Sequence, residues 1–435
     1  MKLKHIAAAA FAAIAAISCN TEGKVEWAPA GDRIMTVWGE NLDPTNVLAE
    51  YPRPQMIRDQ WMNLNGLWEY AITPIDAAPE KMDGHILVPF AVESALSGVG
   101  RAVTENDALW YEREFTVPED WAGQRVLLHF GAVDWKAEVF VDEQLAGEHT
   151  GGYAPFSFDI TDLLGKGRRH TLKLKVTDGT DKWFQPRGKQ VSNPEGIWYT
   201  AVTGIWQTAW MEPVPAAHID TYYAVSDIDA GTLAVSVDAA VEEGDEIEVV
   251  LLADGAPVAK AEGREVVLSV PDMKLWSPAD PYLYDLEIKV LRDGAAIDCV
   301  KGYTAMRKIS YARDDAGHKR MLLNNQPLFQ YGPLDQGWWP DGLYTAPSDE
   351  ALAFDIEKTK EMGFNLIRKH VKVEPARWYW HCDRLGMLVW QDMPSIADNS
   401  SGIWGNRAYD TGTDSQVTEE GKANYYKEWS EIIEA

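Results

Sequence analysis

Two strand-rich blocks followed by a segment in which strands alternate with helices predict a multidomain β plus α/β chain. The first observation is the alternation of apolar and polar residues over short runs, punctuated by Gly and Pro, from Tyr51 to about Pro215 and again over about 216–310. The second is the change after Ser310, where apolar runs are separated by helix-start and helix-stop residues. The third is size: 435 residues at 46% hydrophobic content hold two or three domains with cores of their own.

In chain order, MKLKHIAAAAFAAIAAISC opens on Lys2 and Lys4 and continues in an apolar run from Ile6 to Ile17. That run is too short to span a bilayer and fits a signal peptide over 1–18, so export is expected. Ala16-Ile17-Ser18-Cys19 resembles the bacterial lipobox, which makes Cys19 the candidate lipidation site and the expected location periplasmic or outer-membrane, as a lipoprotein of a Gram-negative bacterium. Residues 19–50 read as a linker. Cys299 and Cys382, the other two cysteines, form no disulfide framework and read as small buried hydrophobes.

Within 51–215, RVLLHF (125–130), AEVFVD (137–142) and TLKLKV (171–176) are strands of a β-sandwich. Within 216–310, DEIEVVLLAD and YLYDLEIKVL fit an immunoglobulin-like β-sandwich. From 311 to 435 the pattern is PLFQYG (327–332) as a strand, a helix from Ser348 to near Gly363, NLIRKH (365–370) as a strand, a helix begun by Pro375 and closed by Gly386, and MLVWQD (387–392) as a strand. Trp378, Cys382 and Leu385 share one face of the second helix. Such repetition implies a parallel sheet, open or barrelled. A last helix, TEEGKANYYKEWSEIIEA, carries Tyr425, Tyr426, Trp429, Ile432 and Ile433 on what reads as its inward face.

Forty basic against 67 acidic side chains leave a formal charge of −27, which excludes the basic footprint that nucleic acid requires. The nine His are scattered without metal-ligand spacing, so neither metal nor cofactor is expected.

Function in a parallel sheet of this kind collects where the strands end. Three loops qualify: 332–342 with Asp335, Trp338, Trp339 and Asp341; Arg368 to Glu374, with Arg368 and His370; and the stretch from Asp392 through Trp404 and Tyr409. Aromatic faces beside carboxylates, Arg and His suit a sugar, which offers an apolar C–H face and a rim of hydroxyls. The bland alternatives are that Trp338 and Trp339 plug the mouth of the sheet and that Arg368 pairs structurally with Asp392. His381 reads as a surface histidine.

Several stretches together resemble glycoside hydrolase family two, the β-galactosidases, β-glucuronidases and β-mannosidases. They are YPRPQMIRDQWMNLNGLWEY (51–70), VPFAVESALSGVG (88–100), VFVDEQLAGEHTGGYAPFSFDIT (139–161), GIWQTAW (204–210), LWSPADPYLYDL (275–286), and NLIRKH with CDRLGMLVWQDMP (382–394). The resemblance implies a jelly-roll sugar-binding sandwich, an immunoglobulin-like sandwich and an incomplete (β/α)8 barrel of about three βα units. It places Arg368, His370, Asp392, Asp335 and Trp338 against an oligosaccharide or glycoside substrate. The family cleaves terminal β-glycosidic bonds by a retaining double displacement, with β-galactosides ahead of β-glucuronides and β-mannosides on family frequency. This chemistry needs an acid/base and a nucleophilic carboxyl about 5–5.5 Å apart. In the family both lie on later strands, so the expectation is an N-terminal portion without the catalytic pair, inactive as given. The alternative is a surface lipoprotein that binds glycan without cleaving it. The two sandwiches are expected to close their own cores and the three βα units to lack partners for theirs.

Overall fold

The computed structural model describes residues 26–396 and 418–435. The signal segment, Cys19, Trp404 and Tyr409 lie outside the described residues.

The first unit is two antiparallel sheets packed face to face. One, six-stranded, runs in the order Gly84–Val88, Gly66–Pro74, Asp107–Thr116, Arg169–Thr177, Lys136–Val141 and Gln144–Thr150. The other, four-stranded, runs Met62–Asn63, Ala209–Val214, Arg125–Phe130 and Phe156–Asp159. The two-residue period of a strand explains the core. Leu172, Leu174 and Val176 fall opposite Val141, Val139 and Ala137, and on the other side Leu174 and Val176 meet Tyr111 and Leu109. All of these are buried, each contributing on the order of 1.5–3 kcal/mol of apolar burial for the larger side chains.

The second unit pairs a three-stranded sheet (His218–Asp227, Thr232–Ala240, Glu265–Ser269) with a four-stranded one (Ala256–Glu262, Glu246–Ala253, Tyr284–Arg292, Ala295–Thr304). Leu233, Val235, Leu251, Leu286, Ile288 and Val300 form its centre. The two sandwiches meet through Arg58, which pairs with Asp298 and donates to Ile219 O at 2.7 Å, beside the buried Glu212. Its carboxylate takes Arg53 at 2.8 Å, Arg58 at 3.6 Å, His129 at 3.2 Å and the Tyr51 hydroxyl at 2.6 Å. Burial alone would raise Glu212, but the close His129 ring and the Arg53 charge hold it at about 2.

The third unit contains the parallel sheet: strands β1 (Leu334–Asp335), β2 (Leu366–Lys369) and β3 (Leu388–Gln391), adjacent in that order, with helix α1 (Asp349–Glu361) between β1 and β2 and α2 (Ala376–Leu385) between β2 and β3. The Ser348 hydroxyl caps α1 by accepting the Ala351 amide at 3.1 Å. Gly386 closes α2 at φ +77, and a Cβ there would lie 2.7 Å from the Pro278 carbonyl, so both conformation and space require glycine. Trp378 and Cys382 pack with Leu352, Ile356 and Ile367, and Leu385 borders them.

Some expectations are corrected. The first parallel strand is not 327–332 but Leu334–Asp335; Gln326–Pro327 instead end an antiparallel ribbon with Lys319–Leu323. Pro327 brings no amide hydrogen to a ladder, which restricts it to such an edge. His381 is buried, its Nε2 3.1 Å from Asp349 Oδ1 and its Nδ1 accepting from Arg384 at 2.8 Å, because α2 packs on the start of α1. Cys299 is only half buried. On helix α3 (Glu419–Glu434), Tyr426, Trp429 and Ile433 are exposed, and the side turned inward carries Glu428.

The third unit also has more partners than its own strands supply. Tyr344 and Val373 share a cluster with Tyr153, Trp206 and Val202 of the first sandwich. The Thr345 hydroxyl reaches the carbonyl of Trp206 at 2.6 Å, and Trp276 of the second sandwich donates to Asp383 O at 2.7 Å. Residues 26–50, read as a linker, pack Val47, Trp27 and Met35 around Phe90, and Thr36 donates amide and hydroxyl to the buried carboxylate of Asp341 at 2.8 and 2.7 Å.

Candidate functional site

The register of the parallel sheet divides the strand-end residues between two faces. Leu334, Arg368 and Trp390 stand in one row across β1, β2 and β3, while Asp335, Lys369 and Gln391 stand in the next, pointing the other way. Arg368 and Lys369 are therefore neighbours in sequence and opposites in space.

On the first face the Arg368 guanidinium holds Asp392 through two bonds, Nε to Oδ1 at 3.1 Å and Nη2 to Oδ2 at 2.9 Å. His370 Nδ1 lies 2.8 Å from Asp392 Oδ2. An ionised carboxylate only accepts, so Nδ1 carries the hydrogen and Nε2 is left without a protein partner among the described residues. Burial works to raise Asp392, and the bonds from Arg368 and His370 overcome it and hold the carboxyl below its usual range. The Arg368 side chain is 46% exposed. The ion pair foreseen as the bland alternative thus forms, but on an open face that also shows Trp390 and Leu334.

Asp335 and Trp338 do not join this group. Asp335 turns to the opposite face, accepting Lys369 at 2.7 Å and the Gly337 amide at 2.7 Å. Lys369 is fully buried and also reaches Glu374 Oε1 at 2.8 Å, and its ammonium sits 4.3 Å from the Trp378 ring centre. Burial opposes its charge, but Glu374 and Asp335 raise it above the ordinary lysine value. Lys372 donates to the carbonyls of Gly337 and Tyr344 at 2.6 and 2.8 Å and pairs with Glu374 at 2.9 Å. Burial brings its ammonium down to about 8. Trp338 stacks on Tyr199 at 4.6 Å and tilts on Tyr344 at 4.4 Å, in the seam between sheet and sandwich.

Sequence reasoning missed Lys369, Lys372 and Glu374 as a unit, although strict alternation along β2 separates Lys369 from Arg368. It also missed the loop 178–203 of the first sandwich. That loop brings Gly188, at φ +59, so near the third unit that a Cβ would lie 2.4 Å from Val371 O, and the amides of Arg187 and Gly188 donate to Ser395 O at 2.9 and 3.2 Å. Val371 itself sits at φ +47, a strained setting for a β-branched residue, between His370 on one face and Lys372 on the other. Among the described residues no cluster of His, Cys, Asp and Glu has the arrangement of a metal site.

Comparison with known proteins follows the same divisions. Residues 89–211 match the family profile described as glycosyl hydrolases family 2, sugar binding domain, and residues 217–307 match that of glycosyl hydrolases family 2. A β-galactosidase of Thermoanaerobacter pseudethanolicus is 26% identical over 322 residues, covering 69% of this chain and 41% of that protein. A β-glucuronidase of Bacteroides fragilis is 26% identical over 66% of this chain and 43% of its own length, and that of Sus scrofa 25% identical over 85% and 62%. The chain thus spans less than two thirds of the length of each. Among solved structures, the β-D-glucuronidase of Dictyoglomus thermophilum superposes with a TM-score of 0.72 at 21% identity, covering 88% of this chain and 65% of that one. The Ruminococcus gnavus β-glucuronidase gives 0.73 at 19%, over 89% and 66%; these two share the fold. Residues 89–307 thus carry two domains of glycosyl hydrolase family 2, one in each sandwich.

Proposed function

We propose that this chain is the sugar-recognising portion of a retaining glycosidase that acts on terminal β-glycosidic bonds, and that β1 to β3 with α1 and α2 open a (β/α)8 barrel. The observation that carries the reading is the Arg368–Asp392–His370 group at the ends of adjacent parallel strands. The Arg368 guanidinium and the His370 ring, locked in orientation by a shared carboxylate on an open face, are suited to bind sugar hydroxyls or a sugar carboxylate. The names of the relatives support a β-galactoside or a β-glucuronide as substrate.

Cleavage requires one carboxyl free to attack and one free to give a proton. The strand-end carboxylates among the described residues are engaged: Asp335 by Lys369, Glu374 by Lys369 and Lys372, Asp392 by Arg368 and His370. The catalytic pair therefore lies outside the described residues, and this chain alone binds without hydrolysing. We also propose export with lipidation at Cys19, supported by the charged start, the apolar run and the Ala16–Cys19 motif; the mass of the mature N-terminal peptide tests it.

The test of the sugar reading is the His370 ring signal in an NMR titration with galactose and with glucuronic acid. A saturable shift with one of the two sugars, lost in Arg368→Ala, is the expected result. No shift with either sugar at concentrations up to those of weak monosaccharide binding overturns it.

A further inference from the structure

Helix α3 is held to the first sandwich by a buried carboxyl on the side away from its exposed aromatic residues. Glu428 lies under the turn Gly151–Gly152–Tyr153 with 1% of its surface exposed, and its Oε1 accepts the Tyr153 amide at 2.8 Å. The Gly152 amide faces the same carboxyl. Glycine makes the approach possible: a Cβ on Gly151, at φ +132, would lie 3.2 Å from Glu428 Cδ. Glu428 Oε2 has no hydrogen-bond partner and no cation pairs with the group among the described residues.

A second buried carboxyl stands on the other side of the same turn. Asp134 is fully buried, its Oδ2 accepts Gln190 Nε2 at 2.7 Å, and its Oδ1 is unpartnered. A Cβ on Gly152 would meet that Oδ1 at 2.6 Å. Two carboxyls thus flank one glycine turn, and among the described residues no cation pairs with either. The remaining groups that face Glu428 do not supply one. Lys427, next on the helix, donates to Thr150 O at 2.8 Å and pairs with Glu431 at 2.6 Å. Glu431 in turn lies 3.7 Å from His149, whose ring stacks on Phe156 at 4.2 Å and is kept neutral by burial down to about pH 3. From the third unit the Tyr344 hydroxyl bonds that of Tyr153 at 3.1 Å.

We propose that Glu428 is a proton-operated latch: protonated, it seats α3 on the Gly151–Tyr153 turn, and ionised, it releases the helix. A buried carboxylate facing another carboxyl without a cation is costly, and a neutral one is not. Burial accordingly pushes Glu428 up to about 8 from its ordinary 4.5. With the docked value above the free one, docking is strongest below about pH 4.5 and weakens as pH rises, by no more than about tenfold per pH unit, until about pH 8. Release also reaches the seam between the first sandwich and the third unit, because Ile432 packs against the cluster that holds Tyr153 and Tyr344.

The test is amide exchange of residues 419–434 in the whole chain between pH 5 and 8, expressed relative to free-peptide rates at each pH. Opening of α3 is expected to rise with pH in the natural protein, by up to about tenfold per unit, and to stay level in Glu428→Gln, which keeps the acceptor oxygen and cannot ionise. A level profile in the natural protein overturns the latch without recourse to any variant. So does an equal slope in Glu428→Gln, or a helix left unprotected by that change at pH 5, since the carboxyl would then act as an anionic acceptor.

Discussion

Replacing Lys369 by Met removes the one cation shared by Asp335 and Glu374 while keeping most of the volume beneath Trp378. Leaving a buried ionised partner unpaired costs about 3–5 kcal/mol. Two details place this case at the low end. Glu374 retains Lys372 at 2.9 Å, and the Asp335 side chain is 21% exposed, so water can take over part of the ammonium's role. The expected loss is therefore about 3 kcal/mol, confined to the third unit. With a urea slope of about 1–3 kcal/mol per molar, the tryptophan-fluorescence midpoint of that unit should fall by about 1–3 M. The sign of the pH dependence is fixed as well. Burial would raise Asp335, but the Lys369 charge outweighs it and depresses the carboxyl, so this stability is present above the ordinary value of 3.8 and is lost as pH falls through the lower folded value. The gap between natural protein and variant should narrow below about pH 4, and adding Asp335→Asn to the variant should restore part of the loss. A Lys369→Met protein within about 1 kcal/mol of the natural one at pH 7 would refute the reasoning, because so small a change is what an exposed pair gives.

Two other perturbations probe how the units are joined. Glu212→Gln should remove the acid-sensitive stability at the junction of the sandwiches. With the carboxyl at about 2 against 4.5 unfolded, that is about 3 kcal/mol, present above pH 4.5 and lost toward pH 2, and calorimetry across that range should show the variant lacking the slope. Gly188→Ala should cost about 1–2 kcal/mol for the left-handed backbone before the contact with Val371 O is counted, and exchange of the Arg187 and Gly188 amides should rise sharply; unchanged protection there contradicts the close approach.

The sandwich strands were legible because period-two alternation needs no distant partner to be read: RVLLHF occupies Arg125–Phe130 in the structure, and TLKLKV falls inside Arg169–Thr177. Helix ends were legible for the same local reason, through Ser348, Pro375 and Gly386. At the site, the grouping of Arg368, His370 and Asp392 followed from their places at strand ends. The sides taken by Asp335 and Lys369 did not, since β1 is two residues long and its register is set by β2 rather than by its own pattern. Trp338 and Glu428 illustrate a different limit. Their partners, Tyr199 and the Tyr153 amide, are 139 and 275 residues away in sequence, and no local signal marks which surface of the first sandwich will meet them. The same limit hid the sandwich's part in the third unit: Tyr153, Trp206 and Val202 cluster with Tyr344 and Val373, while β1 and β3 each keep a single strand neighbour among the described residues.

The division of labour proposed for this chain, recognition by the Arg368 group and bond cleavage by carboxyls outside the described residues, is tested most directly by nitrophenol release. The purified chain is mixed with 4-nitrophenyl β-galactoside and with the β-glucuronide, and its rate is compared with buffer. The expected result is no release above buffer from either compound, because Asp335, Glu374 and Asp392 are all neutralised by neighbouring cations. Steady release that Arg368→Ala lowers would contradict it, placing a working catalytic pair within this chain.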